Sequence, residues 1–212
     1  QNSSTRSSPH SNATSASASS NGNERVTDIV IPVRPGDRNP ELQMTLRSLE
    51  KNFPHDRVWI VGHQPNWVTN IQHIPGNTHT PRNNLWHNLL AVCQHPDVPD
   101  QIVITNDDII VTQPAKPETL YRGTLKDHIR MDRVQRGATW WKESLTTTLT
   151  YLQGAGHPDP LSYELHVPIP VNKHLMCETL TRAAQVTPAN PPQWRTLYGV
   201  LNNIGGRQSE DS

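Results

Sequence analysis

The chain has 212 residues, 33% of them hydrophobic and 5% aromatic, with 19 prolines and with 19 Lys+Arg balancing 19 Asp+Glu. A neutral chain without a basic cluster excludes a protein whose affinity comes from neutralising nucleic-acid phosphates. No run approaches the ~18–20 apolar residues of a membrane-spanning helix.

Residues 1–24 hold nine serines and no Val, Ile, Leu, Met or aromatic residue. They cannot bury enough surface to offset the entropy of ordering, so they read as a disordered tail. Residues 206–212 read as a second polar tail, leaving 25–205 as one domain with one hydrophobic core. The chain starts at Gln1, which reads as a trimmed start. Cys93 and Cys177 make no disulfide framework and read as buried thiols of a reducing, cytoplasmic setting.

Val26 to Val33 is a β-branched run typical of a buried strand. Asn39 to Asn52 carries Leu42, Leu46 and Leu49 at helical spacing, with Asn39 as N-cap before Pro40. Val58 to Gly62 reads as a second buried strand and Ile71 to Ile74 as a short third. Asn84 to Gln94 places Leu85, Leu89, Leu90 and Cys93 on one helical face. Gln101 to Thr105 is a further strand that runs into Asn106-Asp107-Asp108, and Ile109 to Val111 is expected to continue it. Beyond the loop marked by Pro114 and Pro117, Trp141, Leu145, Leu149 and Leu152 fit a helix. Tyr163 to Val171 alternates like a strand that Pro168 and Pro170 confine to an edge. Trp194, Leu197, Tyr198 and Leu201 fit a last helix. Strands and helices in this order predict an α/β domain with a mostly parallel central sheet flanked by helices. Ligands then bind at the C-terminal strand ends, where the Arg34–Asp37 turn and the Asn106–Asp108 cluster fall.

Asp107 and Asp108 interrupt an apolar run between Ile102-Val103-Ile104 and Ile109-Ile110-Val111. As turn and cap residues they need no ligand. Two like charges in such a run are nevertheless costly without a cation, and hard carboxylate oxygens suit Mg²⁺ or Mn²⁺. His166 is a candidate third ligand or a surface histidine. Its alternation places it on one face with Glu164, the candidate general base. Arg34, Asp37 and Arg82 are candidates for holding a nucleotide, the arginines through paired bonds to diphosphate oxygens. Trp140-Trp141 is either a sugar-stacking platform or core with its edge. Lys173 reads as a solvated strand-end lysine or a phosphate partner.

These blocks resemble the GT-A class of nucleotide-sugar transferases. Pro81-Arg82-Asn83-Asn84-Leu85 with Asn106–Asp108 is similar to the Arg-Asn-x-Gly block and aspartates of the inverting family typified by cellulose and chitin synthases, with Asn84 at the glycine position. Asn39-Pro40-Glu41-Leu42, Leu46-Arg47-Ser48-Leu49-Glu50-Lys51, Val58-Trp59-Ile60-Val61-Gly62, Gln64-Pro65-Asn66-Trp67 and Thr105-Asn106-Asp107-Asp108-Ile109 resemble the Stealth family of sugar-phosphate transferases. That likeness spans Asp28 to Pro114, with a faint echo in His166-x-Pro168 and Lys173.

The resemblance implies a GT-A-like, Rossmann-like domain using Mn²⁺ or Mg²⁺ on Asp107, Asp108 and His166. Pro32, Arg34, Asp37, Arg82, Asn84 and Asn106 would line the site of a nucleotide-sugar donor, a UDP-sugar first. Glu164 would activate the hydroxyl of a glycan or protein acceptor. The expected activity is metal-dependent glycosyl transfer. The alternatives are sugar-1-phosphate transfer, a non-catalytic nucleotide-sugar or carbohydrate-binding module, and a metal-dependent phosphohydrolase.

Overall fold

The β-branched run Asp28–Val33 forms the central strand, β1, of a five-stranded sheet. The structure, a computed structural model, describes residues 27–36, 38–76, 81–184 and 191–210. β1 is followed by α1 (Pro40–Asn52), β2 (Val58–Gly62), β3 (Gln72–Pro75), α2 (Pro81–Gln94) and β4 (Gln101–Ile104). The later elements are β5 (Leu120–Tyr121), β6 (Gly123–Thr124), α3 (Leu125–Arg130), α4 (Asp132–Gln135), α5 (Thr139–Gly154), β7 (Leu161–Ser162), β8 (Ile169–Asn172), α6 (Lys173–Ala183), α7 (Trp194–Leu201) and β9 (Arg207–Gln208). β1 pairs in parallel with β2 and β4, and β2 with β3. β8 adds antiparallel to β4, giving the order β3–β2–β1–β4–β8. The expected mostly parallel α/β sheet is the observed one.

A sheet buried on both faces needs apolar residues at successive positions, and β1 supplies them. Ile29, Ile31 and Val33 pack with Leu42 and Leu49 of α1, Ile60 and Val103. Val30 turns to the opposite core, which Leu89 of α2, Leu145 and Leu152 of α5, Met176 and Leu180 of α6, and Leu197 of α7 complete. At the base of the sheet, Asp28 is buried and accepts from Trp59 Nε1 at 2.7 Å and from Arg57 at 2.9 Å. Those partners offset the cost of a carboxylate there. Cys93 and Cys177 are free and half-buried. Burial, followed by the neighbouring Cys177, pushes the Cys93 thiol up.

Several expectations need correction. Residues 109–111 do not continue a strand. Their segment lies along α1, whose side chains take its backbone bonds. Thr45 Oγ1 donates to Asp107 O at 2.9 Å, Ser48 Oγ accepts from Val111 N at 3.0 Å, and Asn52 donates to Val111 O at 2.6 Å. Buried backbone groups need partners, and a helix face provides these without a ladder.

The alternation from Tyr163 to Val171 forms a strand only over Ile169–Asn172, at the sheet edge, so strand parity does not fix where Glu164 and His166 face. Asn39 holds the N-cap position with left-handed backbone, but its side chain donates to Arg34 O instead of capping α1. Lys173 is neither solvated nor free for phosphate. It is buried at the start of α6, and its Nζ donates to His95 O at 3.2 Å and to Val98 O.

The C-terminal stretch read as a tail from residue 206 contains β9, which pairs with β5. The N-terminal tail, residues 1–24, lies outside the described residues. Among those described, no helix is long and apolar enough to cross a membrane.

Candidate functional site

The sheet reverses its winding between β1 and β4, because β2 and β3 lie on one side of β1 and β4 on the other. The two chains leaving such a switch point diverge and open a crevice at their C-terminal ends. Here a cavity of about 530 Å³ is lined by Pro32, Val33, Arg34 and Pro35 after β1, by Asn106, Asp107 and Asp108 after β4, and by Asn84, Leu85 and Asn88 of α2. Six of the residues singled out in the sequence, Pro32, Arg34, Asn84, Asn106, Asp107 and Asp108, thus meet in one cavity. Arg82 sits in the first turn of α2, but its side chain lies outside the described residues, as does Asp37.

The floor of the cavity depends on two glycines. Gly62 ends β2 at φ 109°, and a Cβ there would stand 2.5 Å from Val33 O and 2.8 Å from Asn88 Nδ2. A Cβ on Gly76 would stand 2.6 Å from Asn88 Oδ1. The Asn88 amide is buried between them. It donates to Val61 O at 3.4 Å, and its Oδ1 has no hydrogen-bond partner among the described residues. Nothing in the helical pattern of α2 separates Asn88 from an ordinary polar residue, so the sequence reading missed it.

Asp107 is half-buried, and its carboxyl is raised above its ordinary value, first by burial and then by Asp108. The Arg34 charge and bonds from backbone N–H groups oppose this. Arg34 itself is exposed and also meets Glu41 at 3.4 Å. Because the fold holds the Asp107 proton to a higher pH than the unfolded chain does, its stabilising contribution is full below the ordinary value of about 3.9. It is lost as the pH rises through the raised value. Asp107→Asn is therefore expected to raise the Tm at neutral pH, by about 1–3 °C given solvent screening of a half-exposed group. The gain should vanish towards pH 3–4 in thermal melts, as the wild-type carboxyl also protonates. An unchanged or lower neutral-pH Tm would contradict this account.

A second cavity, of about 430 Å³, shares Leu85 and Asn106 with the first. Its other walls are His128, Arg133, Val134, Trp141, Glu164, Leu165, His166, Gln193, Trp194 and Arg195. Trp141 is half-buried and edge-on to both Trp140, at 5.8 Å, and His128, at 6.4 Å. Trp140 is exposed. Thr196 grips the Glu164 carboxylate through its backbone N and its Oγ1, each 3.0 Å from Oε1. Burial raises the Glu164 carboxyl above its ordinary value, opposed by the Arg195 charge and by the Thr196 bonds. His166 stands at the seam of the two cavities, its Nε2 3.7 Å from Asp108 Oδ1.

Among the described residues, no group of three or more His, Cys, Asp or Glu is arranged to hold a metal ion. Asp107 and Asp108 are two adjacent carboxylates, and their mutual repulsion suits a cation. Mg²⁺ commonly binds through one or two carboxylates plus substrate phosphates. The donor set therefore fits an ion carried by a phosphate-bearing ligand better than an all-protein cage.

No family model matches the chain, and no curated protein matches it. Among solved structures, the chain is similar to the crystal structure of 4-diphosphocytidyl-2C-methyl-D-erythritol synthase from Anaerococcus prevotii. That comparison gives 10% identity and a TM-score of 0.44, and it covers 88% of this chain and 86% of the other.

Proposed function

We propose that the chain is a divalent-metal-dependent transferase that moves a sugar from a nucleotide-diphosphate sugar, a UDP-sugar first, to an acceptor hydroxyl. The observation that carries this reading is the cavity at the β1–β4 switch point, where carboxylates, an arginine and asparagines meet at the C-terminal strand ends. In this GT-A-like layout, Asp107 and Asp108 hold a Mn²⁺ or Mg²⁺ ion, with His166 at the rim. The ion supplies electrostatic stabilisation for the charge that develops on the departing diphosphate. Arg34 contributes to the same field, and Asn84, Asn106 and Pro32 line the donor. Arg82 and Asp37 remain candidates from sequence alone.

The acceptor enters by the second cavity, whose wall contains Glu164. A carboxylate whose proton affinity is raised by burial is suited to taking the acceptor's hydroxyl proton, and Thr196 fixes its orientation. The hydroxyl then attacks the anomeric carbon.

The test is incubation with UDP-, GDP- and dTDP-sugars, with and without Mn²⁺, followed by quantitation of nucleoside diphosphate and monophosphate. Mn²⁺-dependent diphosphate release is expected, fastest with a UDP-sugar. Monophosphate release instead identifies sugar-1-phosphate transfer and corrects the bond that breaks. Binding without either product identifies a non-catalytic module and overturns the transferase reading.

A further inference from the structure

The loop from Tyr163 to Pro168 carries Glu164 and His166, yet it has no strand partner. Its backbone oxygens must find other donors. Arg195, the second residue of α7, supplies them. It is buried, and its Nη1 donates to Leu165 O at 3.0 Å and to Val167 O at 2.6 Å, the carbonyls on either side of His166. Its Nη2 donates to Asn106 Oδ1 at 3.3 Å, in the loop that carries both aspartates. The guanidinium lines the second cavity and bonds to Asn106, which lines both. Its carbon lies 5.5 Å from the centre of the Trp194 ring, and Glu164 provides opposing charge beside it. A buried cation with this many partners is held in one geometry, and a planar fork aims separate nitrogens at the two segments, which a compact ammonium does not.

We propose that Arg195 is a positioning residue: its fork holds the His166 segment against the Asn106–Asp108 loop and so sets how His166 approaches Asp108 and how tightly the donor site takes a divalent ion. The choice of ligand rests on the transferase reading above, whereas the placement of the loops does not. Arg195→Lys keeps the charge next to Glu164 but offers a single nitrogen in place of two, so one of the two segments is released.

Two measurements test this. Hydrogen exchange on the ligand-free protein should show faster exchange in Arg195→Lys for peptides covering at least one of 163–168 and 106–111, with β1 and β2 peptides unchanged. Calorimetric titration with Mn²⁺ in the presence of UDP should show affinity reduced about tenfold, the lower end of what supporting partners of metal ligands contribute. If Arg195 acts through His166, the double variant Arg195→Lys/His166→Ala should bind no more weakly than His166→Ala alone. Unchanged exchange in both loops overturns the proposal, as does faster exchange spread over β1 and β2, since the role would then be general stability. Losses that add in the double variant overturn the link to His166. Failure of the wild type to bind Mn²⁺ with UDP overturns the donor-site reading, while the exchange experiment still decides the positioning.

Discussion

Asp108→Asn is expected to lower metal-dependent turnover of the nucleotide-sugar by about 10²–10³-fold, the usual consequence of removing one well-placed stabiliser of transition-state charge. The substitution keeps the side chain's shape and one oxygen but removes the charge that a divalent ion requires. Asp108 is 48% exposed at the cavity rim, and 3.7 Å from His166. Among the described residues, the loop's backbone is held by α1 side chains at Asp107 O and at Val111, not by the Asp108 carboxylate. The fold should therefore tolerate the change, with stability within about 0.5 kcal/mol of wild type. The check is initial-rate measurement at several Mn²⁺ concentrations, with a thermal melt alongside. Metal-dependent activity at the wild-type level would remove the central assignment, whatever the melt showed.

The second large effect is on stability. Gly62→Ala is expected to cost about 3 kcal/mol, combining a non-glycine residue at positive φ with overpacking of a closed space. The new methyl would stand 2.5 Å from Val33 O and 2.8 Å from Asn88 Nδ2. Neither neighbour moves easily. Val33 ends the central strand, its oxygen also accepts from His63 N at 3.2 Å, and the Asn88 amide is confined by Gly76 on its far side. For a domain of this size the cost corresponds to a Tm lower by roughly 6–12 °C. Because the same atoms form the cavity floor, nucleotide affinity should fall with it. A Tm within about 2 °C of wild type would mean that the strand ends give way more readily than their packing suggests.

Much of the sheet was legible because its strands are buried on both faces. The continuous apolar runs at 29–33, 58–61 and 102–104 leave little alternative to parallel strands between helices. The aspartates were legible for the same reason, as a polar break in an apolar run. What failed were the inferences that extended a local period past the point where tertiary partners take over. Residues 109–111 are as apolar as a strand, but Ser48 and Asn52 bind their backbone from α1. The prolines of 168–170 hid where the edge strand ends, and with it α6, whose Met176, Leu180 and Ala183 do recur at helical spacing. Lys173 looked solvated because nothing in the local sequence announces the carbonyls of His95 and Val98, which come from the connection between α2 and β4. Arg195 was invisible in the same way. It sits in an apolar helical stripe, where an arginine reads as surface, and its acceptors lie 28 to 89 residues away.

The two cavities also divide the chain in the order of its synthesis. Every residue that lines the first falls between 32 and 108. Apart from Leu85 and Asn106, every residue that lines the second falls between 128 and 195. A nascent chain has therefore released the whole lining of the first cavity before any of the residues peculiar to the second has been made. The later half joins the earlier one through junctions that include the β4–β8 pairing, the packing of α6 on α2, the Lys173 bonds to His95 O and Val98 O, the approach of His166 to Asp108 and the bond from Arg195 to Asn106. Changes in the C-terminal half can reach the first cavity through such junctions.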